Sequence, residues 1–259
     1  TSGGNITNVI DICCTESNSF IMKDNLDIFS TGNAAYGVKT SPSYIFTKIT
    51  HFDDTIFLNS SYLGNTTYFK QTHLIDMPQI ETRLYGTGSN YYYDLGYIPD
   101  LDLTETPTHD ITRKNDTFIE IPRFFNCMRS IKQISMGKDY TLFVRDDGTL
   151  WSCGNNDYGQ CGFSTSTSIV NSPTQVTQGV STYEPFTLNA ESGIWMGTSG
   201  GIGHVVEALA VNMSSFILLN DGTVYSCGWH RYGLTGRGHH SFSTTTHLFT
   251  QIESNNNFI

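Results

Sequence analysis

Charge is scarce in this chain, and positive charge most of all. Only 15% of its 259 residues are charged, and 14 Lys and Arg face 24 Asp and Glu, for a net charge of −10. The densest basic stretch, Arg123 to Lys138, holds only Arg123, Arg129, Lys132 and Lys138. A protein that grips a phosphate backbone needs clustered cations, so nucleic acid is not an expected partner. No run of 18 or more apolar residues is present, so no helix-forming stretch could span a bilayer. No secretory leader pattern is visible, and the chain begins at Thr1 without a Met, as expected of a processed chain or an ordered part of something longer.

Catalytic and metal-binding patterns are missing as well. There is no Cys-x-x-Cys, the Cys13-Cys14 pair is too close for zinc, and the eight His show no ligand spacing. No Cys/His nucleophile setting stands out. Gly197-Thr198-Ser199-Gly200-Gly201-Ile202-Gly203 has the glycine spacing of a dinucleotide loop. Such a loop should follow a buried strand at the start of a βαβ unit. Here it precedes two repeat strands, so it reads as a connection. The expectation is a non-enzyme with no cofactor and no metal. Six cysteines in so long a chain read as small buried hydrophobes, not as a disulfide framework. Five Asn-x-Ser/Thr sequons, about the number chance gives in a chain this rich in Asn, Ser and Thr, carry no sign of secretion. An intracellular location, cytoplasmic or cytoskeletal, is expected, with the nucleus not excluded.

What the chain does have is repetition. Residues 131–162 read IKQISMGKDYTLFVRDDGTLWSCGNNDYGQCG. Two apolar strands lead to Asp147-Gly148. A third strand ends at Trp151-Ser152-Cys153-Gly154, and a turn ends at Tyr158-Gly159-Gln160-Cys161-Gly162. Asp-Gly between apolar runs is a strong hairpin signal, expected here as a tight primed turn with positive φ at both central residues. Shifted by 74 residues the unit returns at 205–236, with 9 of 32 positions identical, including Asp221-Gly222. Residues 8–38 lie on 204–234 with 8 of 31 identities. A fourth copy is split. Its entry strands run over 48–58 and its exit is Leu84-Tyr85-Gly86-Thr87-Gly88, with about twenty residues (roughly 60–82) where the others have a short turn. The marker glycines are Gly32, Gly88, Gly154 and Gly228. Several short strands per repeat, at periods of roughly 40–60, mean propeller blades or a β-solenoid.

The pattern resembles the regulator of chromosome condensation repeat family. DDGTLWSCGNNDYGQCG (146–162) carries its Asp-Gly turn, its strand ending in Gly, and its Asn-x-x-Gly-Gln tail, with Cys153 and Cys161 where the family has Trp and Leu. Residues 221–236 match in turn and strand. The first copy has Asp24-Asn25 in place of Asp-Gly. The resemblance implies an all-β fold of four blades of about four strands, one repeat domain over 1–259, with copies around 8–50, 47–125, 131–178 and 204–253. Outer strands are expected at Tyr44–Ile49, Phe118–Pro122, Pro173–Val176 and His247–Ile252. Family propellers usually close with seven blades, so an incomplete or partner-completed ring is expected.

Propellers carry function on variable loops, where aromatic residues anchor interfaces. The candidate partner-binding residues are therefore Tyr62, Tyr68, Phe69, Tyr91, Tyr92, Tyr93 and Trp229. The expected role is a protein–protein interaction module or scaffold in a larger, cytoskeletal assembly, bound to assembly components or further repeat-bearing chains. The alternative is a guanine-nucleotide exchange factor for a Ran-like small GTPase, with 60–82 as a wedge.

Overall fold

The computed structural model describes residues 5–33, 42–51, 56–60, 66–75, 79–96, 114–120, 131–145, 148–164, 166–177, 187–188, 195–196, 205–236 and 245–252. The fold is all-β. Four antiparallel four-stranded sheets follow one another along the chain, each of the propeller-blade type. Blade 1 is β1 (Val9–Cys14), β2 (Asn18–Lys23), β3 (Asp27–Gly32) and β4 (Ser43–His51). Blade 2 is β5 (Ile56–Ser60), β6 (Thr66–Ile75), β7 (Gln79–Ser89) and β8 (Lys114–Glu120). Blade 3 is β9 (Ile131–Met136), β10 (Tyr140–Arg145), β11 (Leu150–Asn155) and β12 (Ile169–Gln175). After a short pair, β13 (Thr187–Leu188) with β14 (Trp195–Met196), blade 4 is β15 (Val205–Val211), β16 (Ser214–Leu219), β17 (Val224–Trp229) and β18 (Thr245–Gln251). In every blade the strands pair in chain order, so hairpins alone build each sheet. The four expected outer strands are the fourth strands of their blades.

The chain forms two compact units. One holds 1–91 and 110–129, and the other holds 92–109 and 130–259. In the first, Phe20, Met22 and Ile28 form a buried cluster against Cys13, Ile49 and Tyr85. In the second, one core runs through both blades and includes Leu142, Val144, Val170, Ile217, Leu219 and Phe249.

The register explains the marker glycines. Gly32, Gly88, Gly154 and Gly228 each pair with the first residue of the preceding strand: Asn18, Thr66, Tyr140 and Ser214. All four have positive φ, between 100° and 124°. The backbone there folds against the carbonyl just before that strand. Asn33 N donates to Ser17 O at 2.9 Å, Asn155 N to Asp139 O at 2.7 Å and Trp229 N to Met213 O at 2.8 Å. A Cβ on Gly154 would sit 2.5 Å from both Asp139 O and Tyr140 Cα. The residue just before each glycine (Thr31, Thr87, Cys153 or Cys227) is skipped in the pairing with the outer strand, leaving a bulge at the same place in every blade.

Two expectations are corrected. The Asp-Gly turns are not two-residue primed turns. Gly222 N donates to Leu219 O at 3.0 Å, and Leu219 N to Thr223 O at 2.9 Å. Gly222 alone has positive φ (84°), while Asp221 does not. This is a type I turn followed by a left-handed residue, the three-residue hairpin loop. Gly148 N bonds Arg145 O at 2.9 Å in the same way, with φ 76°; Asp147 lies outside the described residues. The first copy makes the same turn with Leu26 in the glycine's place, at φ 65°. Second, the stretch read as an insertion is mostly hairpin. β6 and β7 pair from Thr66↔Gly88 to Ile75↔Gln79, five pairs beyond the five-pair hairpins of blades 1, 3 and 4. Alternating Thr, Tyr, Phe, His, Leu and Ile suit a pleated ladder, so the extra residues lengthen two strands.

Candidate functional site

Beyond their third strands the second and third repeats turn through tails that the next blade reads. In blade 3, Gly159 N donates to Asn156 O and Gly162 N to Gly159 O, both at 2.9 Å. Asn156 ties the loop together: its Nδ2 donates to Thr167 O at 2.7 Å, and its Oδ1 accepts from Cys161 N at 3.0 Å. Blade 4 has His230 in that place, hydrogen-bonded to Thr235 Oγ1. The tail of the second repeat, within the second unit, makes the same closing bond, Gly96 N to Tyr93 O at 2.8 Å.

The tail carbonyls are clamped by hydroxyls and thiols one blade on. Thr141 Oγ1 donates to Asp94 O at 2.7 Å, and Cys153 Sγ lies 3.6 Å from the same oxygen. One repeat later, Ser215 Oγ donates to Gln160 O at 2.6 Å, and Cys227 Sγ lies 3.7 Å from it. The Tyr140 hydroxyl sits 2.9 Å from Ser215 Oγ and donates to Ser214 O at 2.6 Å. Burial pushes the Tyr140 hydroxyl well above its ordinary pKa, with Ser215's hydrogen bond opposing, and burial raises the Cys161 thiol likewise. These groups stay neutral and structural. Cys153, Cys161 and Cys227 are the small buried residues expected, whereas Cys13 is half-buried and Cys14 exposed, and no disulfide joins the five described cysteines. The clamp hydroxyls went unnoticed in the sequence, although Thr141 and Ser215 do stand at the same repeat position.

Within the second unit the first strands of blades 3 and 4 show how one blade covers the next. Gln133 Oε1 accepts from Ala208 N and Ser135 Oγ accepts from Ala210 N, both at 2.9 Å, while Lys132 Nζ donates to Val206 O at 3.0 Å. Side chains of β9 thus satisfy the outward edge of β15. The residues of β15 that repeat Gln133 and Ser135 are Glu207 and Leu209. Glu207 is exposed, Leu209 is 52% exposed and the neighbouring Val211 is 41% exposed. On β1 the residues that repeat the buried Ala208 and Ala210 are Ile12 and Cys14. Ile12 is 71% exposed and Cys14 is exposed. The last first-strand thus shows the face that would cover a following blade. The earliest shows the face that a preceding blade would cover.

The expected aromatic anchors scatter. Tyr62 lies outside the described residues. Tyr68 pairs with Gly86 and Phe69 with Tyr85 in the long hairpin ladder. Tyr91 and Tyr92 are half-buried. Tyr93 is 3% exposed and holds the left-handed position of its tail turn, φ 64°, where the next repeat has Gly159 at 80°. It fills the turn from within and is not a surface anchor. Trp229 is half-buried and heads a cluster. The Tyr158 ring packs on it at 5.7 Å, and the Arg231 guanidinium lies 5.4 Å from its centre and 4.8 Å from that of Tyr232. Tyr232 is 72% exposed. Among the described residues no group of His, Cys, Asp and Glu could hold a metal ion. No described helix is long and apolar enough to cross a membrane.

Bulged four-stranded blades, one-repeat clamps and glycine-closed tails define a repeat protein of the β-propeller class. The regulator of chromosome condensation (RCC1) repeat pattern matches residues 131–160, and again 147–190. An RCC1-like G exchanging factor-like protein of Mus musculus is 27% identical over 169 residues, 63% of this chain and 31% of that protein. Among solved structures, yeast RCC1 (Prp20) bound to Kap60 superposes with TM-score 0.66 at 15% identity, covering 98% of this chain and 51% of that one. Human WBSCR16 gives 0.63 at 20%, covering 95% and 52%. Residues 131–190 thus carry repeats of the regulator of chromosome condensation type. The chain spans about half the length of these solved relatives and about a third of the mouse protein.

Proposed function

We propose that this chain is a non-enzymatic protein–protein interaction module that docks further repeat blades, supplied by another repeat-bearing polypeptide, within a larger assembly. One observation carries the reading: the inner-strand faces of β15 and β1 are exposed where the equivalent β9–β15 face is covered. Burying a fully exposed Leu or Ile side chain is worth roughly 1.5–3 kcal/mol, so Leu209 and Ile12, 52% and 71% exposed, together offer roughly 2–4 kcal/mol to a partner. Exposed edges invite pairing unless covered. The reading keeps the protein inside the cell, cytoplasmic or on the cytoskeleton, where free thiols stay reduced.

The test is capture of the native protein from its source with crosslinking, repeated with Leu209→Lys and Ile12→Lys. Crosslinks from 205–211 or 9–14 to repeat sequences absent from this chain, lost in the variants, are expected. Recovery of filament proteins alongside them supports a cytoskeletal assembly. An unchanged partner set in both variants overturns the reading.

A second reading, guanine-nucleotide exchange on a Ran-like GTPase, draws on the name of the mouse relative. The GTPase would be gripped through one blade face, with the long β6–β7 hairpin as the wedge. Accelerated release of labelled GDP by the assembled protein supports it, and an unchanged rate removes it.

A further inference from the structure

In the Trp229–Arg231–Tyr232 cluster, Trp229 meets Tyr158 of the blade 3 tail, while Arg231 and Tyr232 take no part in the bonds between β9 and β15. The Arg231 guanidinium lies over two rings, at 5.4 Å and 4.8 Å. A guanidinium carries its donors in its own plane, so contact with ring faces leaves them available. Among the described residues that guanidinium makes no ion pair. The backbone is also strained to build the stack. Tyr232 has φ 59° and is followed by Gly233 at 73°, whereas in the preceding tail Gly159 is left-handed and Tyr158 before it is not. A left-handed tyrosine costs about 1–2 kcal/mol. The Tyr232 side chain is nonetheless mostly solvent-exposed. Strain kept at an exposed side chain points to a role in binding.

We infer that Arg231, held over the rings of Trp229 and Tyr232, is a carboxylate-binding anchor for an acidic side chain of a protein partner. The rings hold the guanidinium still, so less side-chain entropy is lost when its fork meets a carboxylate. Trp229 and Leu234, the latter 44% exposed, supply apolar flanks, so the partner segment carries an Asp or Glu beside aromatic or aliphatic residues. A nucleic-acid ligand does not fit, because one arginine on a chain of net charge −10 cannot offset a phosphate backbone.

The experiment follows the arginine Nε–Hε signals of the nitrogen-15-labelled full chain during titration with a blocked Gly-Phe-Glu-Leu-Gly peptide and its Gln counterpart. The Arg231 signal is assigned by its loss in Arg231→Lys. The Glu peptide is expected to shift that signal and to bind at least tenfold more tightly than the Gln peptide. Raised salt should weaken it, and Tyr232→Ala should bind it at least fivefold less tightly. Equal affinity for the two peptides, undiminished binding by Arg231→Lys, or no shift at 10 mM Glu peptide overturns the inference. Leu209→Lys, which tests blade docking, should leave this titration unchanged, so either idea can fail alone.

Discussion

Replacing Gly154 and Gly222 by Ala in turn separates two costs that both glycines carry. Both have positive φ, 110° and 84°. At Gly222 an added Cβ has nothing within 4 Å. The loss there is backbone strain alone, about 1–2 kcal/mol, partly offset by the stiffer unfolded chain, so about 1 kcal/mol is expected. At Gly154 the same strain applies, and the Cβ would also lie 2.5 Å from Asp139 O and Tyr140 Cα. Both are backbone atoms of a buried hairpin and cannot swing aside. The hairpin must open there, stretching the 2.7 Å bond from Asn155 N to Asp139 O. Loss of a buried hydrogen bond adds about 1–3 kcal/mol, so Gly154→Ala should cost about 2–4 kcal/mol. Urea unfolding followed by tryptophan fluorescence reads both values. Equal losses, or a smaller one at Gly154, would refute the idea that close backbone approach selects the marker glycines.

Two further outcomes follow from the clamps. Ser215→Ala removes the 2.6 Å bond to Gln160 O and should cost about 1–2 kcal/mol in the same assay; a loss under about 0.3 kcal/mol would show that Cys227 suffices. Alkaline pH should destabilise the fold. The folded chain keeps the Cys161 proton past the ordinary thiol range near pH 8.5, while the unfolded chain releases it, so stability present at pH 7.5 falls as pH rises. For one thiol the fall is about 1.4 kcal/mol per pH unit, and Tyr140 adds to it near pH 10. Urea midpoints at pH 7.5 and 9.5 check this, and Cys161→Ala should flatten the slope; a constant midpoint contradicts it.

The repeat was legible in the sequence because its constraints are local. Gly32, Gly88, Gly154 and Gly228 stand out by their spacing, since only glycine tolerates that approach to a carbonyl. The Asp-Gly turns were legible as turns but not as a type, because whether Asp221 goes left-handed depends on which carbonyl Gly222 reaches. Tyr93 read as a surface aromatic because side-chain type says nothing of a residue that takes a glycine's place inside a turn. Arg231 left no signal at all. Its setting arises from the φ of Tyr232, which residue identity does not reveal.

By itself, then, the sequence determined the β class, four blades, their outer strands and the repeat type, through periodic apolar residues and glycines that answer to neighbours a few positions away. Only the tertiary structure decided which faces are covered. Ser135 and Leu209 hold the same repeat position, yet one is buried and the other open. The difference lies in whether another blade stands alongside, and no local pattern encodes that.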